Sequence, residues 1–384
     1  MSIKRKTIFL DQGETLGGAE RFLLNLFQTI DPATLNILNP VVIGAENEQY
    51  KQALPEKIRT VDYVCPSLKG LKLLALIRLF WASLKLKKII KQESQNVRTV
   101  QVFANTPRMM MLAWFLKFLW RCDFRLMVMV HDFTIPKFVF NLIAKKADTI
   151  IVNAVITRQV VRDSLPAALH ERIMIVENGV DFSHLPHCPR EVSGRIKNVV
   201  LLGRIDPRKG QLFALEAAKY WKKHNLDVSL SIVGSPFSGD MATEKYEKIL
   251  HQRAKEWDLE RVNFVSEVET PWEVFSHADL VLVLPTEPET FGRVVIEAMA
   301  LNKPVIVFDE MGPREIMKHF GRFTKQDVSS FICPKNAVEL AKRVQELVEN
   351  PERCSIFWQK GEPFVRKYFD QVDTKKQFVN ILLG

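Results

Sequence analysis

The chain has 384 residues, 47% of them hydrophobic and 26% charged, which is enough apolar material for two domains with their own cores and argues against a disordered chain. A net charge of +10 favours anionic partners (nucleic acid, acidic lipid headgroups or phosphorylated ligands) without choosing among them. Five scattered cysteines, Cys65, Cys122, Cys188, Cys333 and Cys354, form no Cys-x-x-Cys pair, which argues against a secreted disulfide scaffold and suits a reducing compartment.

The start, Met1-Ser-Ile-Lys-Arg-Lys, runs directly into a strand-like segment without the apolar run of a signal peptide, so the expected location is the cytoplasm. Short apolar runs predict strands at 7–11, 39–44, 58–62, 99–104, 126–131 and 149–153. Longer helical stretches at 19–30, 68–91, 107–121, 136–146 and 155–165 separate them. Turn residues at 177–181, followed by Pro186 and Pro189, predict a linker. A second series then begins, with strands at 198–202, 227–233, 262–265, 280–284 and 304–308 and helices at 211–224, 244–257, 293–300 and 337–349. The last segment, 363–383, is expected to form one helix that crosses back to the first domain. The predicted fold is α/β, with two Rossmann-like domains facing each other across a deep cleft and ligands at the carboxyl ends of the strands. The predicted domains are 1–178, with 365–384 packing back on it, and 179–364.

Two segments of the first domain, 68–90 and 108–121, mix basic and apolar residues. Lys72, Arg78, Lys85 and Lys117 interrupt them, so neither supplies the roughly 18 apolar residues of a spanning helix. They fit either core helices with basic ends or a face peripheral to an anionic membrane on the inner side of the plasma membrane. No interleaved basic and aromatic motif suggests nucleic acid.

Chemistry concentrates at strand ends. Pro285-Thr-Glu-Pro-Glu-Thr-Phe-Gly-Arg-Val-Val-Ile-Glu-Ala-Met-Ala300 follows a predicted strand and opens a helix near Gly292. Helix-start amides there attract phosphate, and Glu289 and Glu297, eight residues apart, offer acceptors for sugar and ribose hydroxyls. The competing view is an ordinary crossover with two solvated glutamates. Gly203-Arg-Ile-Asp-Pro-Arg-Lys-Gly-Gln211 also lies between strand and helix. Arg204 and Lys209 can neutralise a diphosphate and the charge that develops on it as it departs. Gly13-Glu-Thr-Leu-Gly-Gly-Ala-Glu-Arg21 places Gly17 and Gly18 at a helix start, where a ligand can approach closely, and it lacks the Lys-Ser/Thr of a phosphate-binding P-loop. His131, ending a strand, can make a polar contact with a reacting centre, although a single histidine is as readily structural. No Asp-x-Asp occurs, and His184, His187 and Cys188 have no fourth ligand nearby in sequence, so no metal and no cofactor are expected.

The same motifs, Gly-Gly-Ala-Glu-Arg, Asn-Gly-Val-Asp, Gly-Arg-Ile-Asp-Pro-Arg-Lys-Gly and Glu-x7-Glu, occur here in the order found in family four of the retaining GT-B glycosyltransferases. The sequence resembles that family over nearly its whole length. The resemblance implies transfer of a hexose from a nucleotide-diphosphate sugar, with retention, to a saccharide or lipid-linked acceptor of cell-envelope polysaccharide or glycolipid assembly. It implies Arg204 and Lys209 on the diphosphate, Glu289 on the donor sugar and Glu297 on the ribose. The amides of Thr290, Phe291 and Gly292 would hold phosphate, His131 would lie beside the donor sugar, and Gly17 and Gly18 on the acceptor side. Thr290 and Asn302 stand where the family more often has glycine, and 309–315 carries one glycine of the usual two. A GT-B epimerase or phosphorylase, or a non-catalytic basic membrane-binding module, is the alternative.

Overall fold

The structure, a computed structural model, describes residues 5–12, 18–44, 47–66, 72–186, 195–237, 239–268 and 270–384. Gly17, Lys69, His187 and Cys188 lie outside these, as do the side chains of Lys72 and His184. The chain divides into two compact units, 1–177 with 374–384, and 178–373.

The first unit runs β1 (Arg5–Leu10), α1 (Gly18–Thr29), α2 (Pro32–Leu38), β2 (Pro40–Ile43), α3 (Glu48–Ala53), β3 (Arg59–Val61), α4 (Lys72–Glu93), β4 (Thr99–Ala104) and α5 (Pro107–Phe118). It continues through β5 (Arg125–Val130), α6 (Lys137–Ala144), β6 (Thr149–Val152), α7 (Val155–Ser164) and β7 (Ile173–Ile175). The strands form one parallel sheet in the order β3-β2-β1-β4-β5-β6-β7. Each strand alternates between two cores, as a sheet covered on both faces requires. Ile8, Leu10, Val102, Ala104, Leu126, Val128 and Val130 pack with Leu79, Leu86, Met110, Leu112 and Phe140 on one face. Phe9, Phe103, Met127, Met129 and Ile151 pack with Leu23, Leu26 and Phe27 of α1 on the other.

The second unit runs β8 (Asn198–Leu202), α8 (Gln211–Lys223), β9 (Ser229–Val233), α9 (Met241–Glu256), β10 (Val262–Val265), α10 (Pro271–Ser276), β11 (Leu280–Val283), α11 (Arg293–Ala300), β12 (Val305–Phe308), α12 (Met311–Thr324), β13 (Ile332–Cys333), α13 (Ala337–Glu349) and α14 (Ser355–Tyr368). Its parallel sheet has the order β10-β9-β8-β11-β12-β13. Both sheets are therefore doubly wound. Chain direction across the sheet reverses between β1 and β4 in the first unit and between β8 and β11 in the second, which are the points where open α/β sheets bind ligands.

The single terminal helix expected over 363–383 is instead two, α14 and α15 (Gln371–Leu383). Val180 breaks it: its amide donates to Phe369 O at 2.8 Å, and its carbonyl accepts from the Gln371 amide at 3.0 Å. Residues 374–384 belong to the first unit, where Phe378 packs edge-on against Phe103 and Phe22. Arg5 Nη1 donates to the carbonyls of Leu382 and Leu383 at 2.9 and 2.7 Å. A cation on the last carbonyls of a helix satisfies orphan acceptors and opposes the negative end of its dipole.

The expected basic-apolar segments are α4 and α5. Leu79, Leu86 and Ile90 of α4 are core, whereas Phe80 and Trp81 are 38% and 66% exposed. Phe118 and Leu119 at the end of α5 are exposed as well. No helix among the described residues is long and apolar enough to cross a membrane.

Candidate functional site

At the switch point of the second unit, β8 leads into 203–210 and β11 into 284–292. Pro207–Lys209 form a short helical turn capped by Asp206, whose Oδ1 accepts from the Arg208 amide at 2.9 Å. The Arg208 guanidinium forks onto the same carboxylate, its Nη2 2.6 Å from Oδ2. Arg208 therefore braces the loop, and Lys209, the next residue, projects from it. Gly210 turns the chain into α8 with φ of +74°, and a Cβ there would stand 2.2 Å from Leu284 O. The two loops are also bonded directly: the Thr286 amide donates to Arg208 O at 2.9 Å and its hydroxyl to Pro207 O at 3.1 Å.

This bracing brings Lys209 and Glu289 together, Nζ to Oε2 at 2.8 Å, although they are 80 residues apart in sequence. Arg204, two residues after β8 in the loop that carries Lys209, lays its guanidinium over the Phe237 ring at 5.2 Å. The Glu289 carbonyl accepts from the Gly312 amide at 2.9 Å. Thr290 and Phe291 are buried. Gly292 then caps α11 in the left-handed conformation, φ +88°, and offers no side chain to the first-turn amides. Glu297, one turn and a half further on, is buried and bonded to Arg293 Nε at 2.5 Å. A loop with two cations, a carboxylate beside one of them and a helix N-terminus can bind an anionic group next to a hydroxylated one.

The first unit gathers polar residues at the carboxyl ends of its strands. Asp11 follows β1, Asn105 follows β4, His131 follows β5 and Asn153 follows β6. Tyr50 donates its hydroxyl to Asp11 Oδ2 at 2.7 Å. His131 Nε2 lies 2.8 Å from Asn105 Oδ1, and Asn153 Nδ2 donates to the His131 carbonyl at 3.2 Å. Burial pushes the His131 imidazole down to about 4, with the nearby Asp132 opposing that shift. At neutral pH the ring is uncharged, Nε2–H donates to Asn105, and Nδ1 is its acceptor. Gly18 opens α1 in this unit.

Sequence reasoning named His131 but missed Asn105 and Asn153, which fix it, and Asp11 and Tyr50 beside them. Their one sequence signal is position, since each asparagine comes directly after an apolar run. The pairing of Lys209 with Glu289 was also beyond it.

A pH prediction follows for His131. Its folded-state value near 4 lies below the unfolded value of about 6.5, so protonation favours the unfolded chain. Stability should fall as pH drops from about 6.5 to about 4, and His131→Asn should flatten that part of the profile. Urea midpoints for both proteins at pH 7 and pH 4.5 check this, and equal falls for both would contradict it.

Residues 192–362 match the family model described as glycosyl transferases group 1. The chain is similar to the lipopolysaccharide 1,2-N-acetylglucosaminetransferase of Salmonella typhimurium, 26% identical over 58% of this chain and 63% of that protein. It is also similar to the D-inositol 3-phosphate glycosyltransferase of Mycolicibacterium gilvum, 31% identical over 43% of this chain and 37% of that protein. The alignments thus span less than two thirds of these relatives' own lengths. Among solved structures, Anabaena HepE in complex with UDP-glucose superposes with a TM-score of 0.77 at 23% identity, over 98% of this chain and 99% of that one. The lipopolysaccharide outer core galactosyltransferase WaaB does so with 0.70 at 14%, over 99% of both chains. At these identities the likeness is one of fold. The match to the glycosyl transferases group 1 thus lies in the second unit and covers less than half of the chain, and the two doubly wound parallel sheets are those of the GT-B fold.

Proposed function

We propose that this protein transfers a hexose from a nucleotide-diphosphate sugar to a saccharide or lipid-linked acceptor, with retention and without a metal ion. The observation that carries the proposal is Lys209 beside Glu289 at the β8/β11 switch point. The second unit would bind the donor, with Arg204, Lys209 and the amides from Thr290 to Gly292 on the diphosphate. Glu289 takes the hydroxyls of the sugar and Glu297 those of the ribose. Binding exchanges one partly exposed ion pair, worth about 0–1 kcal/mol, for charge-assisted contacts worth about 1.5–3 kcal/mol each, so the donor displaces the pair at a net gain. As the glycosidic bond to the diphosphate lengthens, negative charge grows on the leaving oxygen, and fixed cations stabilise it without reorganising. UDP and UDP-glucose are bound by HepE, which makes uridine nucleotides the first donors to test here. The similarity to a lipopolysaccharide 1,2-N-acetylglucosaminetransferase supports an acceptor of the cell envelope, which the first unit would take.

Retention and metal independence are tested together. With an α-linked donor, the proton NMR coupling of the new anomeric centre should report an α product, at an initial rate unchanged by EDTA. A β product, or activity only with added Mg²⁺ or Mn²⁺, would overturn the respective half of the proposal.

The exposed Phe80, Trp81 and Phe118, with Arg78, Lys85 and Lys88 exposed on the same helix as the first two, support a peripheral contact with anionic membrane. Each basic residue near such a surface contributes up to about 1 kcal/mol. Co-sedimentation with phosphatidylglycerol vesicles should be strong at low salt and weak at high salt. It should fall by about tenfold or more in Lys85→Glu/Lys87→Glu/Lys88→Glu. Equal, negligible binding to neutral and anionic vesicles would contradict the membrane contact and favour a soluble acceptor.

A further inference from the structure

The first unit holds a cavity of about 500 Å³ beside His131, within the roughly 300–1,000 Å³ of small-molecule sites. Its floor is core: Met110 of α5, Val130 at the end of β5, Phe140 of α6 and Val161 of α7, all buried. Its rim is exposed and mixed, with Phe133, Lys137 and Asp163 among the lining residues. Phe138 and Leu142 of α6 are exposed as well. Close packing is the rule in protein interiors, and voids of this size above a formed core are few. An opening of this kind at the carboxyl edge of a parallel sheet is where a ligand is expected.

The lining of the cavity offers two kinds of contact. His131, Asp132, Thr134 and Ser164 are among the lining residues and can meet hydroxyl groups. The remainder is lined mainly by aliphatic and aromatic side chains, which reward burial of hydrocarbon and offer little to a second sugar. The occupant that satisfies both kinds of contact is amphiphilic. We propose that this cavity holds the apolar aglycone of the acceptor, an alkyl or prenyl chain attached to a sugar whose hydroxyls lie toward His131. This rests on the proposed transferase activity, of which it names the acceptor class. The cavity lies wholly within the first unit, so it can be probed separately from the donor site.

The probes are n-alkyl β-D-glucosides with chains of one to eight carbons, titrated calorimetrically into the full-length protein below their micelle-forming concentrations. Affinity should rise about fourfold per added methylene and level off once the cavity is filled. Val160→Trp, which fills the cavity from half-buried α7, should abolish the dependence on chain length. Phe133→Asp, an exposed change on the rim, should weaken octyl glucoside binding at least tenfold while methyl glucoside binding is unaffected. Both variants should keep the wild-type melting temperature and UDP affinity, which show that they fold. Methyl and octyl glucosides binding alike, or a chain-length dependence that persists in both variants, would overturn the proposal. So would octanol binding as tightly as octyl glucoside, which would mean a site for hydrocarbon alone. UDP binding by the same samples shows which idea has failed. Its loss in wild type with the chain-length dependence intact contradicts the donor site, and the reverse pattern contradicts the cavity.

Discussion

Replacing Lys209 with alanine is expected to slow transfer by about two to three orders of magnitude with little change in melting temperature. The small stability effect follows from the surroundings of the Lys209–Glu289 pair, whose side chains are 41% and 23% exposed, where such pairs contribute about 0–1 kcal/mol. The large kinetic effect follows from position. Lys209 sits on a loop held by the Asp206–Arg208 fork and by two bonds from Thr286, so in the proposed reaction the loop that carries its charge would not have to rearrange as a diphosphate leaves. Glu289→Ala should also slow transfer, through lost contacts to sugar hydroxyls. The double variant should be less impaired than the sum of the two, since the residues share one hydrogen bond. Steady-state rates of the three variants check this. Lys209→Ala transferring within threefold of wild type would remove the lysine from the donor site.

Gly292→Val should damage both the fold of the second unit and its nucleotide affinity. The position has φ of +88°, and a Cβ there would lie 2.7 Å from Pro313 Cγ. A β-branched residue in that conformation costs about 1–3 kcal/mol, and overpacking against Pro313 costs a similar amount. For a unit of this size the melting temperature should fall on the order of 10 °C. Any relief of the clash must move the start of α11 or the Glu289–Gly312 bond, so nucleotide affinity should drop about tenfold or more. Thermal melts and nucleotide titration together check this, and no change in either would show that Gly292 is not needed for the helix-start geometry.

The long elements were legible because their patterns are local. Apolar runs marked β1, β4, β5, β8 and β11, and the break at 177–181 falls where the two units divide. The two-residue β13 and three-residue β7 are too short to show a period. Helix α12 was hidden by Gly312 and Pro313, which resemble a loop; yet proline is tolerated in a helix's first turn, where amides have no intrahelical partner. Strand order is a tertiary property, and with it goes the switch point that selects Lys209 and Glu289 from among many charged residues. The motifs supplied the candidate residues, and the topology supplied the reason that two of them meet. His131 was visible as a strand-end histidine, but its neutral state depends on burial and on Asn105, 26 positions away.

The most direct test of the donor site is calorimetric titration of UDP-, GDP- and ADP-sugars into wild-type and Lys209→Ala protein. One of these nucleotide sugars should bind the wild type and bind the variant about 10- to 150-fold more weakly, the loss expected for one charge-assisted contact. Binding of none of them, or equal binding to both proteins, would contradict a nucleotide-sugar site at the β8/β11 switch point.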